Sequence, residues 1–236
     1  MIGIYNYTVV LTYMSLCSAG LGIFVSLNGF GHPYIGSFFL LFCGLCDAFD
    51  GKVARSKKNR TAVEKSFGIQ IDSLSDLVAF GILPACIGVA MLRVSPLIPH
   101  ISSFYSIDLK ETALTAVLYA VLLFYILAAL IRLAYFNVLE TSRQETETTV
   151  LKSYTGLPVT SAALIFPAVL LFQFILPFDV TALYFAITLI TAFAFLSRIT
   201  IPKPGLRGIL IMVGAGAVEF LLFIIGEYTK YYQGLM

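Results

Sequence analysis

The sequence predicts an all-α fold, a polytopic bundle of transmembrane helices that forms one integral-membrane domain over residues 1–236. Three observations predict it. Hydrophobic residues make up 59% of the chain, and its mean hydropathy is +0.92. Charged residues make up only 12%, whereas soluble domains usually carry about 25%. The apolar residues also gather into long segments separated by short polar ones, which leaves no stretch for a separate soluble domain.

Seven apolar segments approach or reach the length of about 20 residues that a helix needs to cross a bilayer. Six of them form the predicted core of the bundle, and the seventh is an accessory C-terminal span. In order they are Val9–Leu27, Tyr34–Ala54, Gly68–Leu92, Thr112–Phe136, Val159–Leu176, Thr181–Leu196 and Gly208–Ile225.

Polar and turn-forming residues separate these segments. Residues 28–33 (Asn-Gly-Phe-Gly-His-Pro) form a turn after the first segment, and residues 177–179 form a tight turn between the fifth and sixth. Longer loops are predicted at residues 93–110 and 140–152. Pro84 predicts a kink inside the third segment. In the last segment Gly214 and Gly216 predict a helix-packing face, and Glu219 is an intramembrane acid with no partner that the sequence identifies.

The positive charges predict the orientation. With seven spans and the N-terminus inside, twelve of the fifteen Lys and Arg residues fall on the inner side. Only Arg93, Lys110 and Lys230 fall outside. Cytoplasmic loops carry an excess of Lys and Arg, so the predicted location is the cell membrane with the inner loops in the cytoplasm.

Four of the six Asp residues lie close together in the chain, at the inner ends of two predicted spans: Asp47 and Asp50, then Asp72 and Asp76. The first pair is spaced i,i+3 and the second i,i+4, so each pair occupies one face of a helix. Carboxylates at a bilayer edge are unfavourable unless they have partners, and they mark a functional site.

Four carboxylates brought to one point cannot all stay ionised without cations. Mg²⁺ and Mn²⁺ prefer such oxygen ligands, and two divalent ions held this way clamp a pyrophosphate. The neighbouring Gly51, Ala54 and Gly68 are small enough to let a bulky ligand approach the helix backbone. Arg55 offers a fork of donors to a phosphate.

These residues form the pattern D-x2-D-G-x2-A-R, a spacer, and G-x3-D-x3-D, which resembles the signature of the CDP-alcohol phosphotransferase family. Every fixed position of the signature is filled. The spacer, Ser56 to Phe67, has twelve residues, more than the signature leads us to expect, and we expect a lengthened cytosolic loop. Family members often carry Thr-x-x-Asn in the first helix, and here Ser15 stands at the position of that Asn, after Thr12.

The resemblance implies a metal-dependent transferase that works as a homodimer. It implies that Asp47, Asp50 and Asp72 are the principal metal ligands. Asp76 would share a metal and accept the proton of the acceptor hydroxyl. Residues Gly51, Ala54 and Gly68 would line the nucleotide pocket, with Arg55 on the donor's phosphates.

A second resemblance concerns Arg132-Leu-Ala-Tyr-Phe-Asn137, followed by Gly156-Leu-Pro158. Bacterial phosphatidylserine synthases, a branch of the same family, are similar here and over residues 67–76. The branch implies transfer of a phosphatidyl group from CDP-diacylglycerol to L-serine, giving phosphatidylserine and CMP.

The predicted acceptor site rests on Arg132 and Asn137. Serine carries a carboxylate, for which Arg132 would supply a cationic fork, while Asn137 would bond the carboxylate or the ammonium group. The alternative role of Arg132 is a positive anchor that extends its head to the membrane interface.

Two other functions stay open. The acceptor could be another alcohol, such as glycerol phosphate, inositol phosphate or choline, although choline would call for an aromatic cage. A divalent-cation transporter would also use carboxylates, but transporter sites lie near the bilayer midplane between repeats, and the Asp-rich stretch is not repeated here. No nucleic-acid partner is expected.

Overall fold

A computed structural model describes residues 3–29, 31–95, 109–146, 153–176, 178–202 and 206–232. In these ranges the chain is helical apart from one short ribbon of two strands, which confirms the predicted all-α bundle. Five helical segments are long and apolar enough to cross a membrane, and two shorter apolar helical segments, Val159–Phe174 and Thr181–Leu196, accompany them. The predicted loop at residues 93–110 falls mostly outside the described ranges.

The helices follow the predicted order. In the described ranges they are α1 (Val10–Leu27), α2 (Pro33–Ser56), α3 (Ala62–Asp76), α4 (Leu83–Val94), α5 (Leu109–Thr146), α6 (Ala162–Leu171), α7 (Thr181–Leu196) and α8 (Leu206–Tyr232). Short 3-10 turns precede α1 (Tyr7–Val9) and α6 (Val159–Ser161) and follow α6 (Phe172–Phe174).

Helices α1 and α2 form a tight hairpin. The turn between them uses Gly29 and Gly31 at positive φ (55° and 100°), a conformation that glycine adopts without steric cost. Pro33 then stands at the first position of α2, where its missing N–H leaves no bond unmade. A Cβ at Gly22 would lie 2.8 Å from the Cβ of Phe39, so this glycine permits the close approach of the two helices.

The connection between α2 and α3 is shorter than predicted. We expected the third span to begin at Gly68 after a long loop, but α3 begins at Ala62, so much of the spacer is helical. The reason is a capping box at Thr61. The Glu64 N–H donates to Thr61 Oγ1 (3.1 Å), and the Thr61 N–H donates to Glu64 Oε2 (2.9 Å), which satisfies two free donors of the first turn.

A kink was predicted at Pro84, and just before this proline the structure has a π-helical turn over Leu77–Ile82, between α3 and α4. A proline has no N–H and its ring clashes with the carbonyl of residue i−4, here Phe80. The freed Phe80 carbonyl accepts a hydrogen bond from the buried Tyr125 hydroxyl at 2.5 Å. Tyr125 also packs against the Phe166 ring (5.4 Å between centroids), so the residue that bonds the π-helical turn is itself part of the core.

Helix α5 is longer than predicted. The fourth span was expected to end at Phe136, with a polar loop at residues 140–152, but the helix continues to Thr146. Leu, Glu, Arg and Gln in this stretch are good helix formers, and a helix can carry them beyond the membrane.

The ribbon was not predicted. Residues Ser153–Thr155 pair antiparallel with Thr200–Pro202, which ties the segment before α6 to the segment after α7. Strands of three residues carry no readable alternation of polar and apolar side chains, so the sequence gives no signal for them. The ribbon holds Gly156 and Leu157 beside the C-terminal end of α7.

Candidate active site

The two Asp pairs lie on α2 and α3, and three of their members meet. Asp47, Asp50 and Asp72 each offer a carboxylate oxygen, and these three oxygens lie within 4.8 Å of one another. Helix α3 packs mainly on α1, and its backbone seldom approaches α2 closely. The contact between α2 and α3 at this point is therefore made by side chains, with the carboxylates of Asp47 and Asp50 on α2 and of Asp72 on α3.

The three oxygens fit a hard divalent cation. Oxygens bound to one Mg²⁺ lie about 4.2 Å apart at most, because each bond is about 2.1 Å long. The observed separations, all within 4.8 Å, are close to that limit. Three like charges this close also need a cation to stay ionised together, so both the donor chemistry and the charge favour metal binding.

Asp76, the fourth member, lies one turn further along α3 and is 9% exposed. It does not belong to the group of three, but its carboxyl group interacts electrostatically with their carboxyl groups. Helix α1 covers it: the Ser75 hydroxyl donates to the Thr12 carbonyl at 3.1 Å. The Ser15 hydroxyl is buried on the same part of α1 and has no partner in the described part of the chain.

Arg55 lies over the first glycine of the motif. A Cβ at Gly51 would stand 3.2 Å from Arg55 Nη1 and 3.5 Å from Nη2, so the guanidinium uses the space that the missing side chain leaves. Arg55 is exposed, and it lines the same cavity as Asp47 and Gly51. The structure thus keeps Arg55 close to Gly51 and Asp47, as the motif predicts.

Arg60 lies over the second glycine, a placement that the sequence analysis missed. Its Nη2 would be 2.6 Å from a Cβ at Gly68 and donates to the Glu64 carbonyl at 3.1 Å. Its Nη1 is 3.5 Å from the Ala54 carbonyl oxygen, a weak contact. The sequence analysis recognised the basic residues of the spacer but not the capping box of Thr61 and Glu64. That capping box begins α3 directly after Arg60 and is the signal from which the position of Arg60 could have been predicted.

The turn between α2 and α3, residues 57–61, is anchored to the N-terminal segment of the chain. Glu64 forms an ion pair with Lys57 (2.5 Å) and accepts a hydrogen bond from Asn6 Nδ2 (3.0 Å). The side chain of Asn6 also caps the 3-10 turn that begins α1 by accepting from the Thr8 N–H. The loop that carries Arg60 is therefore fixed at both its ends.

Arg132 is buried (6% exposed) and lies against the Gly-Leu-Pro turn. Its Nε donates to the Leu157 carbonyl at 3.1 Å, and its Nη2 is 3.5 Å from the Gly156 carbonyl oxygen. Gly156 adopts φ +82°, and a Cβ there would be 2.9 Å from the Ser197 carbonyl oxygen. The acceptor role of Arg132 stays a prediction, and its visible task is to fix this turn.

Asn137 reaches α3 from the C-terminal half of α5. Its Oδ1 accepts a hydrogen bond from the Ser73 hydroxyl at 3.0 Å, beside Asp72 in the chain. Asn137 thus contacts α3 beside Asp72, whereas Arg132, five residues earlier on α5, contacts the Gly-Leu-Pro turn. Ser73 was not predicted, because a hydroxyl next to Asp72 carries no pattern of its own.

A large groove adjoins the Asp cluster. It encloses about 1020 Å³ between α2, α6 and α8, at the upper end of the ~300–1,000 Å³ typical of small-molecule pockets. One stripe of α2 lines it: Phe38, Leu41, Leu45, Ala48, Lys52 and Arg55. The stripe is apolar first and basic at its end, and it extends about 25 Å at a rise of about 1.5 Å per residue.

Comparison with known proteins identifies the family and several relatives of this chain. The family model described as CDP-alcohol phosphatidyltransferase matches residues 5–216. A protein from Saccharomyces cerevisiae named CDP-diacylglycerol--serine O-phosphatidyltransferase is 32% identical over 143 residues, covering 59% of this chain and 43% of that protein. Two Helicobacter pylori proteins of the same name are 30% and 34% identical over 121 residues, covering 51% of this chain and 39% of each relative.

These alignments span only about two-fifths of the length of the curated relatives. The family match is broader, because it covers both Asp pairs, the Gly-Leu-Pro turn and all but the last turns of the bundle. Together with the five apolar helices, it makes the chain an integral membrane protein. Because the match extends over most of its length, the chain belongs to the CDP-alcohol phosphatidyltransferase family.

Proposed function

We propose that this protein transfers the phosphatidyl group of CDP-diacylglycerol to L-serine, giving phosphatidylserine and CMP. The observation that carries the proposal is the junction of a three-carboxylate cluster with a long groove that is apolar at one end and basic at the other. The relatives' names support CDP-diacylglycerol as the donor and serine as the acceptor.

The groove fits a lipid donor. Its apolar part, lined by Phe38, Leu41 and Phe220, would take the acyl chains within the bilayer. Its basic end, at Lys52 and Arg55, would take the pyrophosphate. A soluble nucleotide substrate would need no apolar groove of this length, so the shape favours a membrane-borne donor.

The carboxylates would hold divalent ions. Asp47, Asp50 and Asp72 supply the oxygens, with Asp76 as a further ligand, and two ions, Mg²⁺ or Mn²⁺, are proposed. When bound, such ions neutralise the charge of a pyrophosphate and stabilise the oxygens that attack and leave.

The remaining residues position the substrates. Arg55 would donate to the donor's phosphate, and the small residues Gly51, Ala54 and Gly68 would leave room for the cytidine nucleotide. Asp76 would orient the serine hydroxyl and take its proton. A bond forms between the serine oxygen and the lipid-bearing phosphorus, the bond from that phosphorus to the bridging oxygen breaks, and CMP leaves.

The acceptor would bind beside α5. Asn137, which accepts a hydrogen bond from Ser73 next to Asp72, would bind the carboxylate or the ammonium group of serine. Arg132 would either offer a donor to the serine carboxylate or act through the turn that it fixes. Glycerol phosphate, inositol phosphate and choline remain alternative acceptors for the same chemistry.

The proposed location is the cytoplasmic face of the cell membrane, with the protein as a homodimer. The Asp cluster and the basic residues of the spacer lie at the same end of α2, and this is the charge distribution expected of a cytoplasmic face. Cysteine accessibility from each side of a sealed vesicle tests the orientation, and cross-linking in membranes tests the dimer.

The function is tested by CMP release from CDP-diacylglycerol in detergent, with Mg²⁺ or Mn²⁺ and each candidate acceptor in turn. The proposal expects metal-dependent release with serine that stops when the metal is chelated. Release with another acceptor alone would move the protein to another branch of the family. No release, together with Mn²⁺ uptake by proteoliposomes, would favour a transporter.

A further inference from the structure

Arg55 and Arg60 occupy equivalent places on the two halves of the motif. Arg55 lies over Gly51, with Nη1 3.2 Å from the position of a Cβ there. Arg60 lies over Gly68, with Nη2 2.6 Å from the corresponding position. Each of the two helices that supply the carboxylates thus has a guanidinium group over its motif glycine.

The guanidinium group of Arg60 forms no ion pair with a carboxylate in the described part of the chain. Its two contacts are to the neutral carbonyl oxygens of Ala54 (3.5 Å) and Glu64 (3.1 Å). Its Nε is buried without a hydrogen-bond partner in the part of the chain that the structure describes. In the same part, the one ion pair within 4.0 Å joins Lys57 to Glu64, so Glu64 is neutralised by another residue.

A buried donor with no partner destabilises the free protein. A ligand that supplies an acceptor would remove this cost in the complex. Arg60 also lies beside Gly68, at the edge of the region that the proposed function assigns to the donor nucleotide. A phosphate is the best match to a guanidinium because it accepts two parallel hydrogen bonds and carries the opposite charge. Anchoring of the spacer through Thr61 and Glu64 fixes Arg60 at this position before a ligand binds.

We infer that Arg60 is a donor-binding residue that recognises a phosphate of the cytidine nucleotide from the α3 side, opposite Arg55. The inference rests on the proposed function, since it takes the donor to be a cytidine diphosphate lipid. It gives the twelve-residue spacer a purpose: the spacer delivers a second guanidinium to the nucleotide pocket.

The test measures nucleotide binding directly, without the transfer reaction. CMP is titrated into the purified protein with Mn²⁺, and its dissociation constant is compared among the wild type, Arg60→Ala, Arg60→Lys and the control Lys58→Ala. Lys58 is an exposed cation of the same turn, so its loss reports the general effect of charge. Cytidine, which lacks the phosphate, is titrated in parallel.

We expect Arg60→Ala to weaken CMP binding about ten- to a hundredfold and Arg60→Lys to restore part of it, since Lys keeps the charge and loses the fork. Lys58→Ala should stay within about threefold of the wild type, because single exposed charges contribute little. The KM for CDP-diacylglycerol should rise with the CMP constant, while the KM for serine stays unchanged.

Equal CMP affinity in Arg60→Ala and the wild type would overturn the inference and leave the proposed function intact. Equal loss of CMP and cytidine affinity would overturn the phosphate contact as well. If Arg60→Ala unfolds, Arg60→Gln, which keeps part of the aliphatic stem and two N–H donors but removes the charge, carries the same comparison. A wild type that binds no CMP would refute the proposed function itself.

Discussion

Gly156→Ala is the sharpest test of how the Gly-Leu-Pro turn is built. Gly156 has φ +82°, in the left-handed region that residues with a Cβ seldom adopt. A Cβ at this position would lie 2.9 Å from the Ser197 carbonyl oxygen and 3.1 Å from that of Phe195. Both neighbours are backbone atoms, so neither can move aside as a flexible side chain would.

The expected loss of stability follows from these contacts. A left-handed conformation costs a residue with a Cβ about 1–2 kcal/mol. Relief of the contacts would shift the turn and weaken the hydrogen bond from the Gly156 N–H to the Ile199 carbonyl, now 2.6 Å long, which adds about 1 kcal/mol. We therefore expect Gly156→Ala to lower the free energy of unfolding by about 2–3 kcal/mol.

The effect should also reach Arg132, whose Nε lies 3.3 Å from the same Cβ position. If Arg132 serves the acceptor by way of this turn, the KM for serine should rise in the variant while the KM for CDP-diacylglycerol changes little. The assay combines thermal unfolding in detergent with steady-state kinetics of CMP release.

Gly214→Ala on α8 is the matched control, because it has ordinary φ and nothing within 4 Å of its Cβ position. It should leave stability unchanged or raise it by up to about 1 kcal/mol, since Ala favours a helix over Gly. Equal stability of the Gly156→Ala and wild-type proteins would refute the account of the turn.

Three further variants test the other parts of the molecule. Asp72→Asn removes one of three clustered carboxylates and should lower CMP release about a hundredfold or more, with a higher Mn²⁺ concentration needed for half-activation; unchanged metal dependence would contradict the assignment. Gly216→Leu places a bulky side chain in the groove, since a Cβ at Gly216 would already lie 3.4 Å from Leu164 Cδ2. It should raise the KM for CDP-diacylglycerol with little effect on the KM for serine. Gly214→Leu is its control, because Gly214 does not line the groove. Tyr125→Phe leaves the Phe80 carbonyl without its hydroxyl donor and should lower stability by about 1–3 kcal/mol in a thermal unfolding assay, and an unchanged midpoint would show that Pro84 needs no such compensation.

The class of the fold and the Asp cluster could be predicted from the sequence because both depend on patterns among residues that are close together in the chain. Long apolar runs place the helices, and the i,i+3 and i,i+4 spacing places each Asp pair on one face. The cluster of Asp47, Asp50 and Asp72 needed only that two such faces meet. Its fourth member, Asp76, lies outside the group of three, one turn further along α3 than Asp72.

The remaining features depend on contacts between distant segments. Nothing in the sequence marks Asn137 as a partner of Ser73, because 64 residues separate them. The same holds for Arg132, whose carbonyl partners belong to a turn held by α7 and a ribbon of two three-residue strands. Helix boundaries failed where side-chain caps override hydropathy, as at Thr61, since an apolar window cannot detect a capping box that lies in a polar stretch.

The spacer shows how a departure from a family pattern can add to a site. Extra residues between the two halves of the motif would loosen the site if they formed an open loop, because a longer flexible loop lowers the precision with which its ends are held. Here the second half of the spacer, Ala62–Phe67, is the start of α3, and the residues between α2 and α3 form a turn that Thr61, Glu64 and Asn6 fix in place. That turn is what brings Arg60 over Gly68. If the turn is the reason for Arg60's position, Glu64→Ala, which removes the capping box and the Lys57 ion pair together, should weaken CMP binding in the same direction as Arg60→Ala while leaving all the predicted motif residues in place.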